Sequence, residues 1–371
     1  MLSSGPLSPK GRALGHVNGH RPFIHRKIAS VTASPAPLSG DSHRFCVAPM
    51  MDYTDRHCRF LMRLLSRRTR LYTEMVTAAA IVRGSDPARF LAFHPSEQPL
   101  ALQLGGSDPV QLAKAARMAE DWGYDEINLN VGCPSDRVTS GRFGACLMAE
   151  PDLVAACVAA MREAVTIPVT VKTRIGIDDM DSDAHLDAFI ATVAATGCDT
   201  FIIHARKAWL QGLSPKQNRE IPPLNYGRVH QLKRSFPRLK LILNGGLKTP
   251  QGALASLRDE DGTRLDGVML GRAPYDTPYM LAEIDRLFFA DTAPMPERAA
   301  VTEAYVAYAL ENVKGHTRMH NVLRHIINLF HGCANARTWR QTVARIGQEA
   351  SDPRPLVALA RQLEEKRVLA A

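Results

Sequence analysis

Long apolar runs are missing from this sequence. No stretch approaches the roughly 18–20 residues an apolar helix needs to cross a bilayer, so a membrane-spanning helix is not expected. Paired cysteines are missing too. The seven cysteines, at 46, 58, 133, 146, 157, 198 and 333, never fall as CxxC, which argues against a disulfide framework or a zinc site. Such dispersed thiols suit a reducing compartment, so the expected location is cytoplasmic, with no metal and no membrane partner. Acidic residues are absent before Asp41 and again between Glu311 and Glu349.

What is present is a strong positive balance. A formal charge of +9 and a pI near 9.3 favour a polyanionic partner over an acidic small substrate. The acid-free start is rich in Ser, Pro, Gly, His and basic residues, a composition that transit peptides share. However, Pro6, Pro9, Pro22, Pro35 and Pro37 break any long amphipathic helix. Residues 1–43 are therefore expected to be a disordered basic extension, or the product of a start codon placed too early.

From residue 45, short apolar runs alternate with helical patterns, the mark of repeated βα units. The expected strands are 45–48, 71–73, 100–103, 126–130, 169–172, 200–204, 240–244 and 267–270. Ser107-Asp108-Pro109 opens a helix that closes at Gly123, Pro151 stands at a first helical position, and Gly197 ends another helix. Eight such units over about 245 residues predict an α/β TIM barrel across 44–296. A doubly wound dinucleotide domain would carry G-x-G-x-x-G after its first strand, where this chain reads Pro49-Met50-Met51-Asp52. After about residue 296 strand signals vanish. Four helical stretches, roughly 297–313, 317–330, 334–347 and 353–370, predict a C-terminal all-α bundle over 297–371. Its acid-free portion carries Lys314, Arg318, Arg324, Arg337, Arg340, Arg345 and four histidines, a candidate phosphate-backbone surface.

Reactive residues of such barrels project from the C-terminal strand ends. Here those ends carry Gln103, Asn128, Asn130, Lys172, His204, Asn244-Gly245-Gly246 and Gly271-Arg272. Gly245-Gly246 after strand seven and Gly271-Arg272 after strand eight match the usual phosphate position: glycine admits backbone N–H groups and Arg supplies a charged fork. Lys172 suits a Schiff base or a cation beside a flavin. His204 suits a core role, a metal or a flavin contact, with no carboxylate–histidine cluster nearby to favour metal. Cys46, Cys58, Cys157 and Cys198 read as core residues. Cys133 differs, because Gly132 and Pro134 fix a turn around it at the barrel mouth, where a thiol serves as general acid or nucleophile. The following loop, 135–144, contains Gly141 and Gly144 and is expected to cover a substrate.

These motifs together resemble a known family. The runs APMMDYTDRHCR (48–59), YTEMVT (72–77), ALQLGG (101–106), EINLNVGCPSDRV (126–138), VTVKTRIGIDD (169–179), FIIHARKAWLQGLSP (201–215), LNGG (243–246) and GVMLGR (267–272) are similar to those of tRNA-dihydrouridine synthases, most closely the A subfamily. The resemblance spans residues 44 to about 345. It implies tightly bound FMN, NADPH as reductant and tRNA as substrate, with uridines U20 and U20a of the D-loop reduced by a monomeric enzyme. Carried over by position, Pro49, Met50 and Met51 line the FMN and Gln103 bonds the isoalloxazine edge. Lys172 and His204 hold the ring and the ribityl phosphate side. Asn244, Gly245 and Gly246 with Gly271 and Arg272 take the phosphate. Asn130 contacts the target base. Lys216 and Arg219, with Arg337 and Arg340, grip the tRNA. Flavin N5 then delivers hydride to uracil C6, and Cys133 protonates C5 from the opposite face. Met51 and Tyr53 depart from the Leu and Trp expected there. The rivals are a flavin barrel acting on a free pyrimidine, a flavin-free aldolase using Lys172, and an RNA-binding module with a vestigial barrel.

Overall fold

In a computed structural model, described over Met1 and residues 43–135 and 141–368, the chain divides into two units, 1–36 and 37–371. All elements below belong to the second. Apart from its two ends, the extension expected over 1–43 lies outside the described residues, as does the centre of the 135–144 loop.

Nine strands form one parallel sheet: β1 Phe45–Val47, β2 Leu71–Tyr72, β3 Val76–Thr77, β4 Leu100–Gly105, β5 Glu126–Val131, β6 Val169–Arg174, β7 Thr200–His204, β8 Lys240–Asn244 and β9 Gly267–Leu270. The order is β1-β9-β8-β7-β6-β5-β4-β2, with β3 also on β4. The ends meet where Val47 N–H donates to the Arg70 carbonyl at 3.0 Å and Arg70 N–H to that of Phe45 at 3.1 Å. The sheet thus closes into the expected TIM barrel.

Strand side chains alternate between two apolar clusters, as the period of two requires. Phe45, Val47, Leu102, Leu104, Ile127, Leu129, Val171, Phe201, Ile203, Leu243 and Val268 belong to the large core under the helices. Cys46, Ala48, Tyr72, Ala101, Ile202, Ile242 and Met269 form a separate cluster inside the barrel. Continuing the inward alternation to the strand ends reaches Met50, Gln103, Asn130, Lys172, His204, Asn244 and Gly271. The barrel's own geometry therefore delivers the polar residues to one mouth.

Helix signals read in the sequence hold. Asp108 accepts from the Val110 and Gln111 amides and caps Pro109–Trp122, which ends at Gly123 with φ 92°. Pro151 begins Pro151–Ala164. Several boundaries need correction, among them β4, which runs on past Gln103 to Gly105. The second strand is short and a further strand, β3, follows it. β6 does not stop at Lys172 but runs on to Arg174, because Thr173 and Arg174 continue the ladder opposite Ile203 and His204 of β7, and the Arg174 guanidinium finds carbonyl partners while buried. The stretch 317–330 is not one helix; it splits into Met319–Leu323 and a 3-10 turn at Ile326–Asn328.

The remaining tail helices are Arg298–Asn312, Ala336–Glu349 and Pro355–Val368. Arg298–Asn312 packs on the first barrel helix, Arg56–Leu65: Tyr308 stacks on Phe60 at 3.9 Å, and its hydroxyl bonds His57 Nδ1 at 2.8 Å. Trp339, Val343 and Ile346 bury one face of Ala336–Glu349, with the Trp339 indole donating to the Ile326 carbonyl. Asp55 ties barrel and tail together. Its Oδ1 caps Arg56–Leu65, while its carboxylate also accepts from Arg324 at 2.8 Å and His325 at 3.0 Å. No helix among the described residues is long and apolar enough to cross a membrane.

Candidate active site at the barrel mouth

At the end of β5, Asn130 uses its side chain to fold the next three residues. Its Oδ1 accepts from the amides of Gly132 at 3.1 Å and Cys133 at 3.0 Å, and its Nδ2 donates to Gln103 Oε1 at 2.9 Å. Cys133 is half-buried, its carbonyl accepts from the Ala145 amide, and its Sγ lies 3.5 Å from the Ser135 hydroxyl. Cys46, Cys58, Cys157 and Cys198, read in the sequence as core residues, are all buried.

Arg174, unremarked in the sequence, clamps this loop from the next strand. Its Nε donates to the Gly132 carbonyl at 2.8 Å, and NH1 donates to the carbonyls of Lys207 and Asn218 at 3.0 Å each. It thereby joins the cysteine turn to the loop after β7. Asn218 is fully buried and organises that loop through Trp209 and Leu213. The strand alternation offered a signal for Arg174, two residues past Lys172 on the same face. Nothing periodic marked Asn218.

Positive charge is concentrated here. Burial, with Arg174 close by, brings Lys172 down to about 8, and burial likewise brings Arg174 to about 10. Burial holds the His204 imidazole well below its ordinary value, helped by Arg174, Lys172, Arg206 and Arg219, so the ring is neutral. Arg272 pairs with Glu220 at 3.0 Å. Arg206 is tied to the carbonyl of Pro222. Cations gathered this closely favour an anionic neighbour.

The glycines make room for it. Gly245 has φ 112°, and a Cβ there would meet His204 Cδ2 at 2.6 Å; Gly246 has φ 68° and faces Leu224 and Tyr226. Asn244 Nδ2 donates to the Met269 carbonyl at 2.7 Å, and Gly271 faces Met50 and Ala48. A side chain at Gly245 or Gly246 would collide with His204 or Leu224, so only glycine lets the backbone pass this close to the His204 imidazole, and the groups around that ring are cationic. The residues present thus fit the phosphate of a cofactor: the Gly245–Gly246 backbone runs beside His204, whose imidazole feels Arg174, Lys172, Arg206 and Arg219.

Bonds and electrostatics connect Gln103, Asn130, Cys133, Lys172 and His204 to one another. Arg219 lies near them, close enough to Arg272 for that charge to lower its own pKa, with burial the larger cause. Lys216 is exposed on the same loop. Arg337 and Arg340 are exposed on Ala336–Glu349. Among the described residues no group of three or more His, Cys, Asp or Glu could hold a metal ion.

A family model described as dihydrouridine synthase matches residues 46–365. The chain is 56% identical over 297 residues to the tRNA-dihydrouridine(20/20a) synthase of Shewanella oneidensis, covering 80% of this chain and 87% of that one. It is 54% identical over 327 residues to the Escherichia coli protein of the same name, covering 88% and 93%. Among solved structures, a 2-naphthoyl-CoA reductase complex aligns with a TM-score of 0.51 at 11% identity, over 65% of this chain and 49% of that chain. That likeness concerns the fold alone.

Proposed function

Because the chain belongs to the dihydrouridine synthase family, we propose that it reduces uridine to 5,6-dihydrouridine in the tRNA D-loop, at U20 and U20a. The observation that carries this reading is Cys133, held by Asn130 at a barrel mouth lined with cations. FMN, when bound, supplies the reducing equivalents for the uracil C5–C6 bond, with NADPH as their source.

The chain's own residues do the rest. Gly245 and Gly246 admit the phosphate of the cofactor, and Lys172, neutral His204 and Arg272 offer it donors. Cys133 holds the proton for C5, and Lys172 and Arg174 lie within electrostatic reach of the thiolate left behind. Asn130 keeps one amide hydrogen for the base. A uracil stacked inside folded tRNA is out of reach, so the base is extruded into the mouth. Lys216 and Arg219 beside the mouth, and Arg337 and Arg340 on the 297–371 segment acting as a tRNA-binding domain, hold the phosphate backbone.

Cys133→Ala tests the assignment. The variant is expected to keep its yellow colour and lose turnover by roughly 10²–10⁴-fold, the range for a missing general acid. A colourless variant or one with normal turnover contradicts it.

A further inference from the structure

Below Asn130, the barrel interior holds an unbroken run of side-chain hydrogen bonds reaching its opposite end. Asn130 Nδ2 donates to Gln103 Oε1 at 2.9 Å, and Gln103 Nε2 donates to Asn128 Oδ1 at 2.7 Å. Asn128 Nδ2 donates to Thr170 Oγ1 at 2.8 Å, and that hydroxyl donates to Glu126 Oε1 at 2.6 Å. An alternative acceptor for Thr170, the Ile127 carbonyl, is at a much weaker 3.4 Å. Glu126, Thr170 and Asn128 are fully buried, and Gln103 is 1% exposed. Water therefore does not compete along the run.

Every bond points the same way, and the carboxylate dictates this. Glu126 also accepts from Tyr72 at 2.9 Å and pairs with His43 at 2.7 Å and Arg70 at 3.2 Å. Burial alone would raise its pKa, but His43 and Arg70 pull it down to about 2, so it is ionised. An ionised carboxylate only accepts. Thr170 must donate to it, so it turns a lone pair to Asn128, which answers with its NH2 group. That leaves the Asn128 oxygen for Gln103 Nε2, the Gln103 oxygen for Asn130 Nδ2, and the Asn130 oxygen for the amides of Gly132 and Cys133.

We propose that Thr170 and Glu126, at the far end of this run, are positioning residues for the reaction: they fix which way the amides of Gln103 and Asn130 face, and thereby anchor Cys133. A reversed run would aim an NH2 group of Asn130 at two amide N–H groups and release the cysteine turn. The effect on turnover rests on the proposed function, whereas the anchoring of Cys133 does not.

Thr170→Val, close in volume but without a hydroxyl, cuts the run off from Glu126; Thr170→Ser restores it, and Thr170→Cys is a second, weakly donating substitute. Two quantities are read on the purified holoprotein: hydrogen–deuterium exchange at the Cys133 amide, and steady-state kinetics with tRNA. Thr170→Val is expected to speed exchange at Cys133 by about tenfold or more and to lower kcat by about tenfold with KM for tRNA unchanged, and Thr170→Ser to recover both. If Thr170→Val does not fold, Thr170→Cys is expected to shift both quantities in the same direction to a smaller extent. Unchanged exchange at Cys133 in a folded variant overturns the inference. So does a loss of activity that serine fails to rescue. Altered exchange in a protein whose wild type makes no dihydrouridine leaves the anchoring intact and overturns the proposed reaction instead.

Discussion

Lys172 shows how burial tunes one residue of the proposed cofactor site. Its folded value of about 8 lies below the ordinary 10.5. Between those values the unfolded chain binds more protons, so the lysine's contribution to stability rises with pH through that window. A phosphate or reduced flavin bound beside it reverses the bias, because the anion favours the protonated amine. FMN affinity, followed by fluorescence on the deflavinated protein, is therefore expected to weaken as pH rises through about 8. Lys172→Gln should weaken binding about tenfold or more at neutral pH and flatten this dependence. An unchanged pH profile in the variant contradicts this role. At this scale the sequence was informative where inward alternation meets a polar residue at a strand end, as at Gln103, Asn130, Lys172 and His204. Arg174 escaped because a lysine two residues earlier resembled the strand's end, although the same inward alternation reaches it; its three carbonyl partners lie in loops that follow other strands.

Between elements, the junction at Asp55 holds the tail to the barrel. Burial alone would raise this carboxyl, but hydrogen bonds from His325, the Cys58 amide and Arg324 hold it well below the usual carboxylate range. A depressed acid contributes stability that is complete above its unfolded value of about 4 and is lost as pH falls below it. Asp55→Ala removes both the helix cap and the interelement ion pair, and is expected to cost about 2 kcal/mol near neutrality. In urea titrations the gap to wild type should shrink as pH is lowered toward about 3. A gap independent of pH contradicts the charge-based account. The same junction explains why 317–330 misread as one helix. Met319, Val322, Leu323, Ile326 and Phe330 are all buried, so the apolar period is real. The chain nevertheless breaks near Arg324 and His325, which turn to meet an aspartate some 270 residues earlier, a contact that no local pattern encodes. Caps at Asp108 and Pro151, by contrast, act within a few residues and could be read directly.

Across the whole molecule, the acid-free stretch from 312 to 348 is only partly free charge. Arg324 is taken by Asp55 and Arg345 by Glu349, which leaves Lys314, Arg318, Arg337 and Arg340 exposed with no acidic partner among the described residues. If these cations meet phosphates, tRNA binding falls steeply with salt. The double variant Arg337→Ala with Arg340→Ala is expected to lower the slope of log affinity against log salt by roughly one to two, with flavin content and thermal stability unaltered. An unchanged slope removes that helix from the tRNA-binding surface.

The central claim is that the barrel mouth and the basic tail together serve one reaction on tRNA. It is tested most directly by incubating the purified protein with NADPH and tRNA lacking dihydrouridine, and mapping dihydrouridine by position. The account predicts product in the D-loop at U20 and U20a, absent with Cys133→Ala. No product in any tRNA, despite bound FMN and steady NADPH oxidation, would contradict it and point to a free pyrimidine as the substrate.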